Sequence, residues 1–204
     1  MTDLTSKYPQ LAKIFDDQDK MFQYIIGDNT PVELKTVQNR AIDLIEQNVD
    51  RSDAEKEALA VGVVLMTAGP SIVGDPEQFA ADYSADVNSF VTDLTNASPF
   101  DAPPMNISQA STALSVVMLQ DLAKGLREGA LPEGAREQLT EAFTQSTAQE
   151  AVVFQNLNAP KLQAAYEAAK QGLASELGLG AAPANNNTPA APKKKNNGGG
   201  SFDL

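Results

Sequence analysis

The segment Ala58-Leu-Ala-Val-Gly-Val-Val-Leu-Met-Thr-Ala-Gly69 carries no charged side chain over its twelve residues. It is too short to cross a bilayer, which takes about 20 apolar residues, and Gly69-Pro70 ends it. A helix that is apolar on every side is buried on every side. The stretch therefore predicts a central helix with the other elements wrapped around it. Ser52-Asp-Ala-Glu55 marks its start, because a serine followed three residues later by a glutamate is the capping-box pattern.

On the N-terminal side, Leu11, Ile14, Phe15, Met21, Phe22, Ile25 and Ile26 follow a three-and-four spacing interrupted at Asp16-Asp17, which predicts two short helices. Gly27-Asp-Asn-Thr-Pro31 reads as a turn. Thr30 is the expected N-cap of the next helix, Pro31 suits its first turn and Glu33 completes a second capping box. That helix runs to about Asn48 on the strength of Val37, Ala41, Leu44 and Ile45.

On the C-terminal side, Asp75-Pro76-Glu77 opens a helix whose apolar face is Phe79, Tyr83, Val87, Phe90, Val91 and Leu94. Ala113, Leu114, Val117, Met118, Leu122 and Leu126 give a second strongly apolar helix, closed by Gly129. Residues 133–157 and 159–177 form a more polar, alanine-rich pair joined at Asn158-Ala159-Pro160. No run alternates apolar and polar with β-branched enrichment, so no sheet is expected. The fold class is all-α: one helical domain of about eight or nine helices over residues 1–180.

Composition narrows the chemistry. Among 204 residues, 42% of them apolar, there is neither cysteine nor histidine. Disulfides, thiolate nucleophiles, imidazole general bases and imidazole metal ligands are all ruled out. The net charge is −12; three lysines and one aspartate beyond residue 180 contribute +2, so residues 1–180 carry −14. A body that acidic repels phosphate backbones, and no general nucleic-acid binding is expected. Met1-Thr-Asp-Leu-Thr-Ser-Lys-Tyr-Pro9 lacks the basic and apolar regions of a signal peptide, and no span is long enough for a membrane, so a cytoplasmic location is expected.

Beyond Gly180 the composition changes to alanine, proline, asparagine, lysine and glycine. Such a stretch buries too little to offset its ordering entropy, so residues 181–200 read as a flexible linker. Phe202 and Leu204 are the sole large apolar residues after Leu179, and they flank Asp203. Residues 201–204 thus read as a tethered docking peptide for a protein partner, with Phe202, Asp203 and Leu204 as the binding residues.

The segment Asp82-Tyr-Ser-Ala-Asp-Val-Asn-Ser-Phe-Val-Thr-Asp-Leu-Thr95 resembles a pattern of the HD-domain hydrolases of the stringent-response alarmone family. In that family, acidic-Phe-Gly-x-x-Val-x-x-Leu-Val-x-x-Val-Thr follows a buried helix bearing a His-Asp pair and then Glu-Asp-Thr. Aligned on it, Val63-Val64 take the apolar places, Leu65 and Met66 stand where His and Asp belong, Gly69-Pro70 replace Glu-Asp, and Ser71 keeps the Thr place. Val117-Met-Leu-Gln-Asp121 resembles the stretch leading to the family's last metal-binding aspartate. The resemblance covers about residues 31–126 and implies a helical hydrolase scaffold whose metal site has become core, retaining only Asp121.

Two readings of function follow. The first is a non-catalytic interaction protein (an adaptor, an encapsulated cargo or a scaffolding component) that docks through residues 201–204. The second is a Mg2+-dependent nucleotide phosphohydrolase, or a nucleotide-sensing pseudoenzyme, with Asp43, Glu46 and Asp121 as candidate metal ligands. Asp43 and Glu46 stand three apart on one helix, the spacing that lets two carboxylates approach one ion. The plain alternative for that pair is a solvated helix face, and for Asp121 a structural aspartate bonded to a neighbouring helix end or lysine.

Overall fold

The computed structural model describes residues 4–15, 18–27, 30–68, 76–96, 107–145 and 157–180. Among these the regular structure is entirely helical: α1 (Leu4–Lys7), α2 (Pro9–Ile14), α3 (Gln18–Ile25), α4 (Val32–Asn48), α5 (Asp53–Ala68), α6 (Pro76–Asn96), α7 (Ser108–Glu128), α8 (Ala135–Gln145) and α9 (Pro160–Leu177). No strand occurs among the described residues. Residues 181–204, which hold the expected linker and docking peptide, lie outside them.

The uncharged stretch is the centre of the fold. From Ala58 to Ala68 no residue of α5 is exposed, and α3, α4, α6 and α7 pack around it. Its N-terminus closes as the sequence predicts. The Ser52 amide and hydroxyl donate to Glu55 Oε2 at 3.0 and 2.7 Å, and the Glu55 amide donates back to Ser52 Oγ at 3.4 Å. Both partners of the capping box are thereby satisfied.

Gly62 sets how closely two neighbours approach α5. A Cβ at this position would stand 3.3 Å from Val91 Cγ2 on α6, 3.7 Å from Ile107 Cγ2 and 3.8 Å from Ala110 Cβ on α7. Glycine is otherwise costly inside a helix, so here packing outweighs propensity. Gly62→Leu is expected to destabilise the protein by about 3 kcal/mol, as overpacking of a filled core does; urea denaturation of the variant checks it, and an unchanged midpoint would mean the α5–α6–α7 contact is loose.

The second capping box does not form. α4 begins one residue later than expected, with Pro31 at the N-cap position and no side-chain cap. The Thr30 hydroxyl points the other way and donates to the Tyr24 carbonyl at 3.4 Å. Thr30 therefore closes the end of α3 instead of opening α4. The glycine stops hold: Gly129 ends α7 and Gly178 ends α9, both left-handed (φ 64° and 79°). In each, the following residue donates back across six residues, Ala130 N to Gly125 O at 2.9 Å and Leu179 N to Ala174 O at 3.0 Å, which is the Schellman arrangement.

Two apolar clusters result. The larger joins α2–α6, the N-terminal half of α7 and the entry to α9, including Leu11, Met21, Ile45, Leu59, Leu65, Val87, Val91, Leu157 and Leu162. The smaller gathers Ala123, Leu173 and Leu177 with Leu119, Leu122, Leu126, Leu139 and Phe143, from the C-terminal half of α7, α8 and α9. α7 and α9 both contribute to the two clusters, and α9 packs along α7.

Candidate functional site

Along the surface where α4, α7 and α9 meet lies an open groove with a volume of ≈ 610 Å³. That is within the range of about 300–1,000 Å³ typical of ligand sites. Its floor is made of small residues, Ala123 on α7 and Ala165, Ala168, Ala169 and Gly172 on α9. Its walls carry Arg40, Lys124 and Arg127, with Gln120 and Asp121 beside them. On a chain of net charge −12, a groove with three cations and one acid is a local reversal of sign.

Asp121 is placed by α7 at the rim of this groove and is engaged there. Arg40 Nη1 donates to Asp121 Oδ1 at 2.5 Å and Arg40 Nη2 donates to Gln120 Oε1 at 3.1 Å, so the guanidinium spans two residues of α7. Arg127 is likewise held, its Nε 2.9 Å from Glu176 Oε1 on α9. Lys124 stands between them without a hydrogen-bond or ion-pair partner among the described residues. Asp121 is thus paired with an arginine, where the sequence reading of a structural aspartate named a helix end or a lysine as its partner.

The other candidate ligands lie apart from any assembled centre. Asp43 and Glu46 are both exposed on α4. Glu46 borders a separate cleft of ≈ 460 Å³ with Asp53, Lys56, Glu57 and Ala60, and its backbone carbonyl accepts a bond from Lys56 Nζ at 3.2 Å. Among the described residues, no three carboxylates converge in a way that could hold a metal ion.

Leu65 is completely buried and Met66 is partly buried against the main core. Tyr83, from α6, donates its hydroxyl to the Leu65 carbonyl. Burial pushes the Tyr83 phenol above its ordinary range, aided by the nearby Tyr24, so it remains a neutral donor at physiological pH. Gly69, Pro70 and Ser71 lie outside the described residues.

Several carboxylates that the sequence did not single out hold helices together. Asp86 Oδ2 on α6 accepts the backbone amides of Gln10 at 2.6 Å and Leu11 at 3.3 Å, capping α2 from a distant helix. Asp93 on α6 pairs with Lys7 and accepts the Tyr8 hydroxyl. The Lys7 ammonium, then the Tyr8 hydroxyl, keep the Asp93 carboxyl below its ordinary value against a small opposing effect of burial. Such partners are 75 or more residues apart, and no local pattern could announce them.

Phe202, Asp203 and Leu204 fall outside the described residues. No helix among those described is long and apolar enough to cross a membrane. No protein-family model matches the chain, and neither a curated protein nor a solved structure matches it.

Proposed function

We propose that the protein acts by binding other proteins rather than by catalysis, with Phe202, Asp203 and Leu204 as the docking residues and the helical domain as the body they tether. In that role it is an adaptor, an encapsulated cargo or a scaffolding component. The observation that carries this reading is the fate of Asp121. The acid at the position of the family's last metal-binding aspartate is bound to Arg40, in a chain with no histidine or cysteine to complete a centre. What supports a degenerate HD-type scaffold as its origin is the packing of Leu65 into the core of α5, with Tyr83 of the resembling segment bonded over it.

Removal of residues 201–204 is expected to abolish retention of the partner from native extract and to leave the far-ultraviolet circular dichroism unchanged. Equal retention by the shortened chain would sink the tail as the docking element and move the binding surface to the helices.

A further inference from the structure

We propose that the α4–α7–α9 groove is the resting site of the chain's own Phe202-Asp203-Leu204, so that the docking peptide is held against the domain until a partner competes for it. This inference rests on the reading of residues 201–204 as a docking peptide and adds where they go when no partner is present. The first argument is charge. Asp203 is the sole acidic residue after Glu176, and the groove concentrates Arg40, Lys124 and Arg127 on an otherwise acidic body. The two arginines already have carboxylate partners, Asp121 and Glu176. Lys124 does not have one among the described residues and is the cation left to receive Asp203.

The second argument is shape. The floor is alanine and glycine, so the groove is apolar without being filled by its own side chains. At Gly172 nothing lies within 4 Å of where a Cβ would stand. Two large apolar side chains flanking one acid, the composition of residues 202–204, complement an apolar floor with cationic walls.

The third argument is reach. The groove residues of α9 end at Gly172, five residues before the helix ends at Leu177, and the left-handed Gly178 and Gly180 then turn the chain off the helix axis. That interval along α9 amounts to about 8 Å. A spacer of the length and composition of residues 181–201 spans about 25 Å on average. A site within that span sees the tethered peptide at an effective concentration on the order of millimolar, high enough for a three-residue contact to be occupied.

The full chain contains no cysteine, so Ser201→Cys offers one attachment point for a nitroxide spin label. Amide signals of Lys124, Arg127, Ala168 and Gly172 are expected to broaden, with those of α6 unaffected. Adding either Lys124→Glu or Phe202→Ala should remove the broadening while circular dichroism is preserved. Broadening absent from the groove, or persisting unchanged in Lys124→Glu, overturns the proposal. Broadening seen between spin-labelled chains and separately isotope-labelled chains, and not within one chain, also overturns it in favour of a second copy as the occupant. This measurement uses no partner, so its failure is distinct from a failure of partner capture by residues 201–204, which would show as equal retention by the shortened chain.

Discussion

Leu65→Ala is expected to lower the unfolding free energy by about 3–5 kcal/mol, the cost of a large-to-small change in a core that cannot collapse around it. Leu65 is fully buried on α5, the helix that packs against α3, α4, α6 and α7. Neighbours on several sides hold the space open. The double substitution Leu65→His and Met66→Asp is expected to cost at least as much, because a charge placed there is desolvated and has no assembled carboxylate partners among the described residues. Urea denaturation of Leu65→Ala gives the number directly. A loss under about 1 kcal/mol would mean that Leu65 lies beside unfilled space rather than in packed core.

Glu55→Ala is the second large effect, expected at about 3 kcal/mol. Glu55 lies at the N-terminus of α5 and is nearly buried, as is its partner Arg51, whose Nη1 stands 2.7 Å from Glu55 Oε1. The same guanidinium donates from Nε to Gln109 Oε1 at 3.0 Å, and Gln109 Nε2 donates to the Leu157 carbonyl at 2.8 Å. One carboxylate therefore ends a chain of bonds that ties α5 to α7 and to the entry of α9. Removing it strands a largely buried guanidinium as well as opening the helix cap.

The same carboxylate makes stability depend on pH. Burial pushes the Glu55 carboxyl up, but the Ser52 hydroxyl and amide and the Arg51 guanidinium together outweigh it and hold it below its ordinary value of 4.5. With the folded value below the unfolded one, its stabilisation is complete above pH 4.5 and is lost as pH falls through the folded value. Asp93, held down by Lys7, acts in the same direction. Thermal stability should be nearly flat from neutral pH to about 5 and then fall. The Glu55→Gln variant should be less stable than the parent at neutral pH and converge on it in acid; parallel curves at every pH would refute the role of its charge.

The sequence announces what is local. The absence of charge from residue 58 to 69 is enough to put α5 at the centre. Ser52 and Glu55 close on each other because they are three residues apart, and Gly129 and Gly178 stop helices because few other residues adopt their positive φ. Thr30 had the same local pattern and failed, its hydroxyl being bonded to the Tyr24 carbonyl at the end of α3.

What was hidden is the pairing of helices. Asp121 stood out as a candidate ligand, but its partner Arg40 lies 81 residues earlier on α4. Asp86 read as one more polar position on α6, yet it caps α2. The groove was hidden for a related reason. Its floor comes from alanines and a glycine that give α9 a polar, featureless pattern, and only the approach of α4 and α7 turns that face into a concave surface.

Competition by a peptide of residues 181–204 against the intact protein for its captured partner tests the docking role most directly. Displacement of the partner by the peptide, and none by the same peptide carrying Phe202→Ala and Leu204→Ala, is the expected result. A partner that stays bound to the intact protein when the peptide is in large excess would contradict it and assign binding to the helical surface.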